Sequence, residues 1–217
     1  TVTGVQTCAL PILLNKFAVK LGLKKDVVKE TAQKYLSGRP KGFEHFSFPF
    51  SSLDLTAHQH VKDADIVHLH WVSDGFLDWK SFFKKIKKPI VWTLHDMNPF
   101  TGGCHHADEC AGFEDQCMHC PQLKNTIDDN YAASMLNLKA DSLQANLESM
   151  EIIAPSTWLM NCSSRSGLFK GLPHHHILNL ADTNSFFAKD KNESRKKLGL
   201  PEDRKILLFV EIGRAHV

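Results

Sequence analysis

The chain has 217 residues, of which 42% are hydrophobic and 23% charged, with a formal net charge of +2. These values are typical of a globular protein that holds one sizeable α/β domain, or one domain and part of another. They exclude a membrane-spanning protein, because no apolar run approaches the roughly 20 residues that cross a bilayer. They also exclude a nucleic-acid partner, which requires a strongly basic face.

The cysteines restrict the class further. The chain has six, and four of them lie close together instead of being spread along it. This is unlike the disulfide framework of a small secreted domain. No signal peptide precedes them, so the sequence predicts a cytoplasmic protein.

Both ends of the chain differ from the rest. Residues 1–12, TVTGVQTCALPI, and residues 211–217, EIGRAHV, resemble translated sequencing adapters at the ends of assembled environmental fragments. We therefore expect these two segments to be non-native and leave them out of the fold prediction, as with fusion scars. The natural protein is expected to extend past both of them.

The first predicted elements are the least regular. Apolar positions in residues 13–36 predict a helix in two pieces, separated at Gly22. Residues 41–55 predict either an irregular connection or a strand with one apolar face, because their phenylalanines alternate.

A strand, a helix and a second strand follow with short connections. Residues 65–71 and 90–94 have the apolar and β-branched composition of strands that a parallel sheet buries on both faces. Residues 79–86 form an amphipathic helix between them. This order predicts a right-handed parallel β-α-β unit.

The same alternation continues along the chain. It predicts a helix at 130–150, strands at 151–154 and 175–178, Ser156 as a helix N-cap, a short helix capped by Asn192, and a last strand at 205–210. The predicted fold class is therefore α/β, with a Rossmann-like parallel sheet flanked by helices and incomplete at both ends.

Two ionisable residues, His95 and Asp96, lie where the strand at 90–94 ends. Ligands of open α/β sheets bind at the carboxyl ends of the strands, so His95 is the strongest catalytic candidate. The alternative is a core histidine bonded to a neighbouring carbonyl group. Asp96 is the second catalytic candidate, and it either orients the ring of His95 or caps the next turn.

The preceding strand carries a second group of candidates. His68 and His70 lie two residues apart and therefore project from one face of the strand, where they either pack against a helix or meet a ligand. His70, Trp71 and Asp74 lie at its carboxyl end and are predicted to line a substrate pocket.

A long glycine-containing loop with four cysteines comes next. Cys117 and Cys120 have the spacing by which one loop offers two thiolates to zinc, and Cys104 and Cys110 complete a tetrahedral set. A structural zinc ion would contribute on the order of 10 kcal/mol to ordering the loop. Two disulfides or free thiols are the alternatives. Three histidines of the loop are substitute ligands: His105, His106 and His119.

Several stretches carry a family resemblance. In chain order they are ADIVHLHW, VWTLHDMNPFTGGCHHADEC, CMHCPQL, IIAPSTWL, SGLF, NLADTNSF and SRKKLGLPEDRKILLFVE. Together they resemble the amino-terminal half of family 4 glycosyltransferases, nearest to the bacterial branch that builds colanic-acid-like and other exopolysaccharides and shares the four-cysteine loop. The resemblance implies the GT-B architecture, in which two Rossmann-like domains face each other across a cleft.

The resemblance also implies a function. It implies retaining transfer of a sugar from a nucleotide-sugar donor, held mainly by the second domain, to a glycan or lipid-linked acceptor, held mainly by the first, in bacterial polysaccharide biosynthesis. It places His95 against the transferred sugar. Asn179 and Asp182 match the family motif PNGxD and become acceptor- or substrate-binding candidates, although Leu180 replaces the glycine. A peripheral contact with the inner face of the bacterial plasma membrane is expected.

The resemblance divides the chain into residues 13–180, an incomplete acceptor-side domain, and residues 181–210, a linker with the first strand of the donor-binding domain. The family's glycine-rich loop and its donor-binding residues are absent, so the fragment alone is expected to be inactive. Two alternatives stay open. One is a zinc-dependent hydrolase, from His68-x-His70-x-x-x-Asp74, which lacks the expected histidine after the aspartate. The other is a non-enzymatic, zinc-stapled interaction module.

Overall fold

The computed structural model of the chain describes residues 26–208. They divide into two compact units, residues 26–178 and residues 179–208. The predictions made for residues 1–25 and 209–217 lie outside the described residues.

The larger unit alternates helices and strands. Its regular elements, in chain order, are α1 (Val27–Tyr35), α2 (Gln59–Asp63), β1 (Val67–Leu69), α3 (Trp79–Lys85), β2 (Ile90–Thr93), α4 (Tyr131–Leu143), β3 (Met150–Ala154), α5 (Thr157–Arg165) and β4 (His174–His176). In the smaller unit, α6 spans Lys191–Leu198.

Side-chain caps determine where several helices begin. Asp78 and Ser156 each accept a hydrogen bond from a backbone N–H group in the first turn of the following helix, α3 and α5. The prediction of Ser156 as an N-cap is confirmed. The cap of α6 is Asp190 and not the predicted Asn192, because the Asp190 carboxylate accepts from two backbone N–H groups of the first turn.

The four strands form one sheet in the order β1-β2-β3-β4, and every neighbouring pair is parallel. Each connection between neighbouring strands includes a helix, namely α3, α4 and α5 in turn. In the register, Trp92 lies between Leu69 and Ile152. The predicted α/β fold with a parallel sheet flanked by helices is confirmed, and it is consistent with a Rossmann-like fold.

One face of the sheet forms the core with the helices. Trp92 points to this face and is fully buried. Its ring centroid lies 5.1 Å from that of Trp79 and 5.8 Å from that of Phe83, both on α3. Because aromatic rings contribute large buried areas, this cluster fixes α3 against the sheet.

Most strand residues that point to the opposite face are exposed or half-buried, and Thr93 is the buried exception. The exposed or half-buried ones are His68, Val91, Glu151, Ile153 and His175. Parallel sheets usually bury both faces, and within residues 26–208 this second face stays partly open to solvent.

Three predicted elements differ from the structure. Helix α4 ends at Leu143 and not at the predicted residue 150. Met150 belongs to β3, where it pairs with Ile90. Strand β4 lies at His174–His176 and not at 175–178. Residues 205–208, predicted as a strand from their apolar composition, have no ladder partner among the described residues of the smaller unit.

None of the helices within residues 26–208 is long and apolar enough to cross a membrane.

Candidate active site

The parallel topology brings four of the predicted site residues together. His70 and Trp71 follow β1, and His95 and Asp96 follow β2, so all four lie at the carboxyl edge of the sheet. His70 Nδ1 is 2.9 Å from His95 Nε2. The Trp71 indole N–H donates to Asp96 Oδ2 at 3.0 Å. We call this group and the residues bonded to it the carboxyl edge.

His70 and His95 act as a pair. A hydrogen bond between two imidazole nitrogens requires one donor and one acceptor, so the two rings share one proton at the contact. Burial lowers the pKa of His70, and the neighbouring rings of His68 and His95 lower it further. His70 is therefore neutral near pH 7, and His95 is exposed, with its Nε2 bonded to His70.

Asp96 is held by three protein donors. Its Oδ2 lies 2.7 Å from His105 Nδ1 and also accepts from Trp71, and its Oδ1 accepts the Asn98 backbone N–H at 2.8 Å. Burial raises the pKa of Asp96, but the hydrogen bond and charge of His105 and the other donors outweigh it and hold the pKa below its usual value. The ring that Asp96 bonds to is that of His105 and not that of His95, and its Oδ1 closes a turn onto the Asn98 N–H.

Sequence reasoning missed His105 as a member of this site and considered it only as a substitute zinc ligand. The ring bridges Asp96 and Ser47, whose Oγ lies 2.8 Å from His105 Nε2. Backbone bonds fix the same residue, because His105 donates to His45 O and its own carbonyl accepts from Met97. The only signal in the sequence is its nearness to Asp96, and that does not reveal a loop that turns back to the strand end.

Asp74 also belongs to the edge. Its two carboxylate oxygens lie 2.8 and 2.9 Å from His45 Nε2, and the His45 ring centroid lies 4.8 Å from that of His105. Asp74 adopts φ of +54°, a left-handed conformation that aspartate tolerates in turns. His45, like His105, was absent from the predicted set.

Asn179 and Asp182 are exposed in the smaller unit, where Asp182 accepts from the backbone N–H of Asn184 and the hydroxyl of Ser185. His68 bonds to Thr93 Oγ1 at 2.8 Å. The predicted hydrolase run, His68, His70 and Asp74, therefore bonds to three different partners.

The cysteine loop, residues 101–123, begins beside the edge. All four of its cysteines line one small cavity. All four are free thiols, and within residues 26–208 no three histidine, cysteine or acidic side chains stand in an arrangement that holds a metal ion. Burial raises the pKa of Cys104 to about 12 and that of Cys117 to about 11, so both thiols are neutral near pH 7.

Hydrogen-bond donors surround these sulfur atoms. The Gly112 N–H donates to Cys110 Sγ at 3.4 Å, and the backbone N–H groups of Gln122 and Leu123 lie against Cys120. Donors in such positions stabilise a thiolate when one forms.

A buried lysine on α4 bonds to the backbone where the cysteine loop begins. Lys139 is 0% exposed and donates to Asn98 O at 2.5 Å and to Thr101 O at 3.0 Å. Its Nζ also lies 4.9 Å from the ring centroid of Trp79. Burial lowers the pKa of Lys139 to about 7, although Cys104 and other neighbours raise it.

Part of the chain is similar to a curated bacterial protein. It is 35% identical over 91 residues to the putative colanic acid biosynthesis glycosyl transferase WcaC of Escherichia coli (strain K12). The similarity covers 38% of this chain and 21% of that protein, so the chain spans about a fifth of the length of the relative it matches. No family model and no solved structure matches the chain. The similarity supports a relationship to a glycosyltransferase of polysaccharide biosynthesis.

Proposed function

We propose that the protein to which this chain belongs transfers a sugar from a nucleotide-sugar donor to a glycan or lipid-linked acceptor in bacterial polysaccharide biosynthesis. The observation that carries the proposal is the partial identity to a colanic acid glycosyl transferase, together with the histidine-rich carboxyl edge. Ligands of open α/β sheets bind at this edge. The proposal includes membership of family 4, the GT-B architecture, retention of configuration at the transferred sugar and a peripheral contact with the membrane.

The roles of the edge residues follow from their bonds. His95 offers an unshared ring nitrogen to a sugar hydroxyl, and neutral His70 holds its ring in place. Both carboxylate oxygens of Asp96 accept hydrogen bonds from the protein, so Asp96 is a positioning residue and not a free nucleophile. Such a site accelerates transfer by positioning the two sugars and by stabilising charge on the leaving phosphate.

The test uses the uninterrupted natural protein that contains this chain. It is incubated with UDP-glucose, UDP-galactose or GDP-mannose and with oligosaccharide fragments of colanic acid, the polymer that appears in the relative's name. Acceptor-dependent release of the nucleotide is the expected result, with proton NMR showing the donor's anomeric configuration in the product. If acceptor leaves nucleotide release unchanged for all three donors, the proposal is overturned. An inverted product would retain glycosyl transfer but remove the retaining mechanism.

The zinc ion predicted for the cysteine loop stays a proposal. Four thiols around one cavity and the N–H donors beside their sulfur atoms support it. The side chains as they stand do not form a ligand set, so a zinc ion would require the cysteine side chains to rearrange around the cavity. Its role would be structural, as in other four-cysteine sites.

Metal analysis decides this proposal. Protein purified without chelator is expected to contain about one zinc ion per chain, as a closed four-thiolate site does. A Cys117→Ser, Cys120→Ser variant should lose the zinc, whereas Cys162→Ser, which changes a buried cysteine outside the loop, should retain it. Metal-free protein in which all four thiols react with a thiol reagent would exclude the site.

A further inference from the structure

The four tryptophans of the chain fall into two pairs. Trp79 and Trp92 are 2% and 0% exposed and pack against each other in the core, with their rings tilted by 46°. Trp71 and Trp158 are 46% and 51% exposed. Each exposed tryptophan follows a strand, β1 for Trp71 and β3 for Trp158, so both lie on the carboxyl side of the sheet.

Contacts with the cysteine loop hold both exposed rings. Trp71 donates to Asp96, and its ring centroid is 6.0 Å from that of His105. Trp158 stacks on His106 with a centroid distance of 5.4 Å and an interplanar angle of 17°. His105 and His106 are consecutive, so one short piece of loop connects the two tryptophans. Trp71 with His105 is the first aromatic surface, and we call Trp158 with His106 the second aromatic surface.

An aromatic surface of this kind suits a sugar ring. The face of a pyranose carries C–H groups that pack on the electron-rich face of an indole, while its hydroxyls need polar partners at the rim. His106 and Asp108, whose Oδ1 lies 3.1 Å from His106 Nδ1, are half-exposed polar groups beside the indole and supply such partners. An apolar chain would cover these groups without offering them hydrogen bonds, which favours a glycan as the occupant. A ring already held by stacking loses little conformational freedom on binding.

We infer that the second aromatic surface binds an inner sugar of the acceptor, beyond the sugar that reacts at His95. The inference rests on the proposed glycan acceptor. It extends the acceptor site from β1 and β2 to the start of α5, and it requires an acceptor of at least two sugar units. Trp158 then determines specificity for acceptor length and takes no part in the chemical step.

The test compares the natural protein with Trp158→Ala, Trp158→Phe and Ile127→Ala. Ile127 is an exposed apolar residue in the same unit and serves as the matched control. With oligosaccharide fragments of colanic acid as acceptors, Trp158→Ala should raise the acceptor KM about tenfold, the loss of roughly one stacking contact. The kcat and the donor KM should not change. Trp158→Phe should restore most of the lost affinity, and Ile127→Ala should match the natural protein.

A second measurement separates this inference from the proposed function. Titration of each protein with the same fragments should quench tryptophan fluorescence in the natural protein and much less in Trp158→Phe. Sugar transfer with an unchanged acceptor KM in Trp158→Ala overturns the inference and leaves the proposed function standing. Quenching that depends on Trp158 without any sugar transfer supports glycan binding at the second aromatic surface and overturns the proposed function. Absence of both quenching and transfer overturns both.

Discussion

The carboxyl edge, formed by residues that follow β1 and β2, and the cysteine loop, which follows β2, hold their side chains in opposite environments. At the edge, His70, Trp71 and His95 are exposed, with His70 bonded to His95 and Trp71 bonded to Asp96. In the loop, Cys104 and Cys117 are buried and their pKa values are raised because burial disfavours the thiolate. The difference supports the proposed roles, in which the edge side chains contact the substrates and the buried cysteines stabilise the loop beside them.

Removing an edge side chain should separate the two regions most clearly. His95→Ala in the natural protein should lower kcat by about 100-fold, the lower range for a positioned catalytic side chain, with an unchanged melting temperature. His175→Ala is the control, because this histidine of β4 is also exposed and its ring bonds to Glu151 at 2.8 Å and not to an edge residue. Steady-state kinetics and calorimetry are the measurements. Near-normal kinetics in His95→Ala would remove His95 from catalysis.

A substitution that crowds the cysteine loop should instead lower the stability of the protein. A Cβ at Gly102 would lie 2.2 Å from Ala132 O, a backbone atom of α4, so Gly102→Ala forces the loop off the helix. The free energy of unfolding should fall by about 3 kcal/mol, the upper part of the range for overpacked sites. Gly42→Ala is the comparison, because its Cβ would meet open space and only its φ of +93° opposes alanine. Urea unfolding measures both variants, and equal losses would show that crowding is not the cause.

The lysine beneath the loop makes stability depend on pH. The folded pKa of Lys139, about 7, lies below its ordinary value of 10.5. Between these values the unfolded chain binds the proton more strongly, so the free energy of unfolding rises with pH. Between about pH 7 and about pH 8.5 this contributes about 1.5 kcal/mol.

Lys139→Met should remove that contribution. Urea unfolding in reductant at several pH values should show the rise in the natural chain and a flatter profile in the variant. Identical slopes in the two proteins would mean that Lys139 keeps its proton in the folded state.

The smallest expected effect concerns the helix that presents Trp158. Ser156 caps α5 by accepting the Leu159 N–H at 3.2 Å. Ser156→Ala should reduce the free energy of unfolding by about 1 kcal/mol, and Ser156→Asp should restore it because aspartate also accepts at this position. Thermal unfolding checks both. A loss of acceptor affinity larger than the loss in stability would place Ser156 in the binding surface.

Much of the fold could be predicted from local patterns. The apolar strands and the amphipathic helix between them predicted β1, α3 and β2 with ends within about two residues of those observed. The end of α4 was misplaced, because apolar residues up to Met150 continue past the point where β3 begins. The cap of α6 was misplaced because Asp190 and Asn192 are both good capping residues and only the backbone path chooses between them.

Part of the candidate site could also be predicted from local patterns. His95 and Asp96 were found because a strand end is visible in sequence. His45 and His105 were missed because they reach the edge through long-range contacts that no periodicity records. The zinc set was proposed from spacing, and spacing does not specify where the sulfur atoms point.

The sequence by itself determined that strands and helices alternate and that His70, Trp71, His95 and Asp96 come at strand ends, because hydrophobic periodicity is a local property. Only the tertiary structure decided which side chains bond there. The parallel register set His70 against His95, the loop carried His105 to Asp96, and packing buried Lys139 under Asn98. These pairings depend on where distant segments meet, and that is settled by burial of the whole core.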